Sequence, residues 1–156
     1  MNAIDQAGVL AISTRLQRLS DQIRKDGLSV YQAYGIDFQP KWFPVIYTLH
    51  VKKVLGVVEM AAEIGYSHPS TISLLKELEK ERLIRSSRDK TDERRRLLRL
   101  TEKGEALVIR MLPVWDVMAA AIGQVTGHLM KAIRETEEMM KEKSILALCM
   151  KPYSDT

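Results

Sequence analysis

Apolar positions in the first third of the chain recur at intervals of three and four, at Ile12, Leu16, Leu19 and Ile23. That is the spacing of one face of an α-helix, and it predicts an amphipathic helix over 6–34. Gly27 weakens this helix and Gly35 stops it. Trp42, Phe43, Ile46, Tyr47 and Leu49 mark a second helix over 40–51. Pro40 suits its first turn, whereas Pro44 lacks an amide donor and delays or bends the start. A third helix is expected over 57–64, ending near Gly65, although 52–56 offers no Ser or Thr cap for it. Ser67 is a good N-cap for a fourth, with Pro69 in the first turn. Thr71, Leu74, Leu75 and Leu78 then form its apolar stripe. The period changes next: 84–87 and 97–100 suit two short strands around the polar loop 88–96, which together read as a β-hairpin. Thr101 is placed to cap another helix, and from there the pattern is helical again, with Gly104 and Pro113 as imperfections. Gly123 and Gly127 predict a break before a last helix over 128–150.

Composition narrows the class. Hydrophobic residues make up 46% of the 156 positions and charged residues 28%, enough apolar content to bury a core. No uninterrupted apolar run approaches the roughly 18 residues that span a bilayer. Met1-Asn2-Ala3-Ile4-Asp5 lacks the basic and apolar regions of a signal peptide. The single Cys149 excludes an intrachain disulfide and suits a reducing compartment. The expectation is a cytoplasmic protein with no membrane partner.

Charge adds more once it is mapped. Between Arg85 and Arg99 stand seven basic residues, Arg85, Arg88, Lys90, Arg94, Arg95, Arg96 and Arg99, against Asp89, Asp92 and Glu93. The local excess equals the +4 of the whole chain, so the remainder is neutral. A focused basic patch on a neutral body suits a polyanion.

The helix before the hairpin sharpens this. Its N-terminal turn and polar side carry Ser67, His68, Ser70, Ile72, Ser73 and Lys76. Short donors and acceptors there let a helix enter the major groove and reach base edges, while Ile72 suits a thymine methyl. A long arginine at a hairpin tip suits the minor groove, where the potential is negative. Arg95 and Arg96 are candidates for phosphate contacts. Catalysis finds no support: His50, His68 and His128 lack metal-ligand spacing, and no nucleophile motif, phosphate loop or carboxylate pair emerges. No metal or other cofactor is expected, and the chain reads as a non-enzyme.

The stretch Leu78 to Gly104, LEKERLIRSSRDKTDERRRLLRLTEKG, resembles the MarR family of winged helix-turn-helix transcriptional regulators. The likeness rests on Leu78-Glu79 before the hairpin, on Asp89, Asp92 and Arg94 in it, and on Leu100-Thr101 and Gly104 after it. It extends to 38–49, to Met60-Ala61-Ala62-Glu63-Ile64-Gly65 and to the long flanking helices. The resemblance implies that Arg94 enters the minor groove and that Asp92 orients it. Two departures stand out. Arg82 occupies a position where the family usually has glycine, at a cost of roughly 1–2 kcal/mol if the backbone there is left-handed. The missing cap over 52–56 is the other.

The resemblance implies a mainly α fold with a small β wing, in the order α-α-β-α-α-β-β-α-α. A winged helix-turn-helix over 36–103 would hang from a helical dimerisation region formed by 1–35 and 104–150, with 151–156 as a tail. It implies a homodimer on a pseudo-palindromic operator in duplex DNA, hence a nucleoid-associated protein, acting as a repressor relieved by a small aromatic effector. Trp42, Tyr47, His50 and Trp115 are the candidate effector cleft. Apolar stripes at both ends, including Met111, Leu112, Trp115, Met118 and Ile122, independently call for a partner, because a winged domain of about 65 residues cannot cover them. The alternative is a winged module whose partner is another protein. Serines on the recognition face favour DNA, since a protein-docking face carries larger apolar anchors.

Overall fold

A computed structural model describes residues 1–151; the tail expected at 151–156 lies outside them except for Lys151. Packing divides the chain into a compact unit from Met1 to Trp115 and a second from Asp116 onward.

The first unit begins with α1 (Ala3–Gln6), a 3-10 turn (Gly8–Ala11) and α2 (Ile12–Ala33). The single helix expected over 6–34 is therefore interrupted. Gly8 has φ +59°, a left-handed value that ends α1 and restarts the chain at a new angle. Gly27 does not break α2, because it is buried and the stripe continues past it. Pro40–Trp42 forms a 3-10 turn and α3 covers Phe43–Lys52, so Pro44 falls in the first turn and the α-helix starts late. Lys53 then takes φ 69° and ψ −51°, and the Val54 amide donates to the Lys52 carbonyl at 2.9 Å. This γ-turn throws the chain into β1 (Leu55–Gly56). Helix α4 (Val57–Ile64) begins at once, with Gly56 in the N-cap position and no side-chain cap.

Gly65 closes α4, and Ser67 caps α5 (His68–Lys80) by accepting the Ser70 amide at 3.3 Å. The Thr71 hydroxyl donates to the Ser67 carbonyl at 2.9 Å, which allows this polar side chain to be fully buried beside Leu74, Leu75 and Leu78. Strands β2 (Ile84–Arg88) and β3 (Arg96–Leu100) pair antiparallel with Ser86 opposite Leu98, and β1 adds to the other edge of β3 through Leu55 and Leu98. Phe38, Ile46, Leu49, Met60, Leu78, Leu98, Val108 and Met111 fill the centre of this unit.

Arg82 makes the join between α5 and β2. Its φ is 59°, the left-handed conformation that glycine adopts freely. The Leu83 amide donates to the Leu78 carbonyl at 3.0 Å and the Arg82 amide to Glu79 at 2.9 Å, a doubly bonded helix end that requires that value. Arg82→Gly should therefore stabilise the protein by about 1 kcal/mol, less the extra chain entropy that glycine adds to the unfolded state. A denaturant midpoint that does not rise would show that the Arg82 side chain recovers the strain elsewhere.

Helix α6 runs without interruption from Glu102 to Glu142, and α7 (Ile145–Cys149) comes after it. The break expected at 123–127 is absent. An isolated glycine costs a helix only about 1 kcal/mol, and the alanine-rich run before Gly123 and the apolar positions Val125 and Leu129 continue the pattern. Although Arg110 and Asp116 interrupt its apolar stretch, this helix bears on the expectation about apolar length. It contains an 18-residue window of mean hydropathy 1.6, long and apolar enough to cross a membrane by length and composition, of which 17% is buried. In the first unit Val9, Leu10, Ile12, Leu16, Ile109 and Leu112 are exposed, and in the second Val117, Val125, Met139, Met140, Ile145 and Leu146 are.

Candidate nucleic-acid interface

Burying Thr71, Leu74, Leu75 and Leu78 turns the other side of α5 outward. His68, Pro69, Ser70, Ser73 and Lys76 are exposed together with the capping Ser67, and Ile72 is half-buried. The Ser67 hydroxyl donates to Ser70 Oγ at 2.9 Å while accepting the Ser70 amide, so part of its capacity serves the cap. The recognition residues expected from the sequence thus share one face and one end of one helix. The Arg24 guanidinium on α2 donates to the Tyr66 hydroxyl at 3.1 Å, just before that end.

The hairpin tip is built by its two aspartates. The Asp89 carboxylate accepts from the Thr91 amide at 2.9 Å and the Thr91 hydroxyl at 2.8 Å. Asp92 Oδ1 accepts the Arg94 amide at 3.0 Å. Each carboxylate bonds the amide two residues on, the geometry of an Asx-turn. Two backbone bonds close the loop, from the Asp89 amide to the Arg95 carbonyl at 2.9 Å and from the Arg95 amide to the Asp92 carbonyl at 3.0 Å. The Thr91 amide, then the Thr91 hydroxyl and the Arg95 charge, hold the Asp89 carboxyl below its usual value. Asp92 was expected to orient Arg94. Its carboxylate accepts from the Arg94 backbone amide, and among the described residues it makes no ion pair with the Arg94 guanidinium.

The three consecutive arginines have different surroundings. Arg95 is paired with Glu59 of α4 and lies 3.7 Å from Asp89. Arg96 crosses the hairpin and donates to Ser86 Oγ at 2.6 Å. Arg94 has no side-chain partner among the described residues. Glu59 was not legible as a site residue. It lies 36 positions before Arg95, and no spacing or motif marks it.

The aromatic residues form a connected set, in which Phe38 meets Trp42 edge-on at 5.6 Å and Trp115 edge-on at 6.5 Å. Tyr47 stacks on Phe43 at 5.1 Å between centroids, meets Trp115 edge-on at 5.6 Å and lies 6.3 Å from His50. Phe43 and Tyr47 are 37% and 44% exposed, so this cluster is open on one side. The Trp115 indole donates to the Tyr31 hydroxyl at 3.0 Å, and burial pushes the Tyr31 hydroxyl up against that bond. Trp42, expected in the same cleft, makes no direct ring contact with Tyr47, His50 or Trp115 among the described residues and is linked to Trp115 through Phe38. It is buried against Phe38, and its indole donates to Glu77 of α5 at 3.0 Å. Lys41 and then this indole hold the Glu77 carboxyl below its usual value. Trp42 instead lines a cavity of about 240 Å³ with Asp37, Glu81, Leu83, Lys103, Leu107 and Arg110. Phe43 is the cluster member that sequence reading missed, because its helical spacing also fits an ordinary core position.

This arrangement, helix-turn-helix and then a basic two-stranded wing, is a winged helix-turn-helix. No family model matches the chain, and no curated protein sequence does. Among solved structures it is similar to MepR of S. aureus, described as a MepR–DNA complex, at TM-score 0.68 and 20% identity over 84% of this chain and 97% of that one. It is similar to the transcriptional regulator PA4135 at TM-score 0.66 and 20% identity, over 84% and 96%. It is also similar to BpsR of Bordetella bronchiseptica, whose DNA binding is described as regulated by 6-hydroxynicotinic acid, at TM-score 0.61 and 18% identity, over 79% and 98%. The chain shares the fold of these regulators.

Proposed function

We propose that this protein is a non-enzymatic transcriptional regulator of the MarR type, binding a pseudo-palindromic operator in duplex DNA as a homodimer. The observation that carries the reading is the pairing of an exposed, hydroxyl-rich α5 N-terminus with a wing whose Arg94 guanidinium is unpartnered among the described residues. The helix end suits the major groove and Arg94 the minor groove. Ser67, His68, Ser70, Ile72, Ser73 and Lys76 are the α5 contacts, and Arg96 can leave Ser86 for a phosphate. The exposed apolar positions at both ends of the chain support a second copy as the partner, with 1–35 and 104–150 as the dimerisation region. The cluster of Phe43, Tyr47, His50 and Trp115 is the site proposed for a small aromatic effector that relieves repression. Its open stacked face suits a planar ring, and BpsR offers a precedent for a small aromatic acid acting on DNA binding.

The test is a duplex titration. Arg94→Ala should weaken operator binding by on the order of 1–3 kcal/mol, a factor of about 5 to 150. Asp92→Ala should also weaken it, because the tip that presents Arg94 loses the bond from its amide. Charge counting gives the opposite sign, since the substitution removes a negative group that repels phosphate. Tighter binding by Asp92→Ala would reduce Asp92 to a surface charge. Unchanged binding by Arg94→Ala would favour a protein partner for the wing.

A further inference from the structure

Arg95 has the least freedom of the three wing-tip arginines. Its guanidinium is shared by two carboxylates that come from different elements, Glu59 in the first turn of α4 and Asp89 at the base of the loop. Asp89 is itself fixed by two bonds from Thr91. The pair lies directly over β1. A Cβ placed on Gly56 would overlap the Glu59 carboxylate and come within 2.9 Å of Arg95 Nε. Gly56 also pairs with Leu97 of β3. A short ring therefore closes: β3 pairs with β1, β1 runs into α4, and Glu59 of α4 reaches back to the loop that leads into β3. Two carboxylates around one guanidinium leave that group of three with a net negative charge, which is a poor receptor for phosphate.

We propose that Arg95 is not a DNA contact but a positioning residue that latches the wing to α4, with Glu59 and Asp89 as its catches. The inference rests on the reading of this protein as a DNA-binding module. The latch sets the angle of the wing against the helix-turn-helix, and Arg94, one residue earlier, is aimed by it. A single exposed ion pair contributes little to global stability, so the effect belongs to the wing and not to the fold.

Two measurements on the full-length protein test this. The first needs no DNA. The wing is rich in trypsin sites at Lys90, Arg94, Arg95 and Arg96, and nicking there reports local opening. Glu59→Gln, which leaves every one of those sites in place, should be nicked about threefold faster or more, with an unchanged thermal midpoint. The second is a salt titration on a mixed-sequence duplex of about 30 base pairs, roughly three helical turns. Arg94→Ala should flatten the slope of log affinity against log salt by about one. Arg95→Ala should lower affinity by up to about fivefold at an unchanged slope, because it removes no phosphate contact. Glu59→Gln should weaken binding despite losing a negative charge, and combining it with Arg95→Ala should be no worse than Arg95→Ala alone. Nicking of Glu59→Gln at the parental rate would overturn the latch, and so would a slope lost in Arg95→Ala as in Arg94→Ala. A parent protein that does not bind the duplex would sink the DNA reading instead, and the nicking rate would still decide the latch.

Discussion

Chains carrying Ile12→Glu and Leu16→Glu together should sediment as single chains at micromolar concentration, where the parent protein should sediment at twice the chain mass. Ile12 and Leu16 are 58% and 45% exposed within one copy, although both stand on the apolar stripe of α2. A charge at either position is therefore tolerated by the isolated chain and intolerable only if a second copy covers it. Each fully buried leucine or isoleucine contributes about 1.5–3 kcal/mol, and twofold symmetry places four of them in the dimer. Because each is about half exposed in one copy, their loss should weaken association by about 3–6 kcal/mol, roughly two to four decades in Kd, before any cost of burying carboxylates. Circular dichroism of the variant should keep the helical signal of the winged unit. A double variant that still sediments at twice the chain mass would remove the N-terminal helix from the interface.

Gly104→Ala should destabilise the protein by about 3 kcal/mol, lowering the thermal midpoint by roughly 10 °C at fixed protein concentration. Helix propensity alone predicts the opposite, since alanine improves a helix by about 1 kcal/mol over glycine. Packing decides the sign. A Cβ at position 104 would overlap the Leu83 backbone carbonyl. That carbonyl already accepts the Thr101 amide at 3.0 Å. Thr101 also donates its hydroxyl to the Arg82 carbonyl at 2.6 Å and accepts the Gly104 amide at 3.0 Å, capping α6 while tying it to the end of α5. A flexible side chain would rotate away from the new methyl group, but a carbonyl held by this cap has nowhere to go. Gly123→Ala serves as the control, because nothing lies within 4 Å of its Cβ. That substitution should be neutral or stabilising by up to about 1 kcal/mol. Equal effects at the two glycines would refute a close approach at Gly104.

Much of this protein is determined by its sequence alone, wherever structure depends on neighbours a few positions apart. The bounds of α4, the Ser67 cap and buried stripe of α5, the hairpin, the late start of α3 at Pro44 and the Thr101 cap all come from local rules of spacing and capping. The left-handed backbone at Arg82 was foreshadowed by the glycine usual there in the family that the sequence resembles, and it is required by the bonds at the end of α5. The continuity of α6 was not legible. Gly123 and Gly127 are breakers by local propensity, but a 41-residue helix spreads their cost over many favourable turns. Side-chain partners were the least legible of all, because a guanidinium chooses among carboxylates in three dimensions. Sequence set Arg94 apart by the resemblance but left Arg95 and Arg96 as equivalent phosphate contacts. Tertiary structure distinguished them by bringing Glu59 from 36 positions away onto Arg95, turning Asp92 onto a backbone amide, and leaving Arg94 without a partner among the described residues. The same holds for Trp42, whose helical spacing suits the aromatic cleft but whose indole is taken by Glu77 across the core. Local periodicity sets which face of an element is apolar; only the packing of distant elements sets what each polar group meets there.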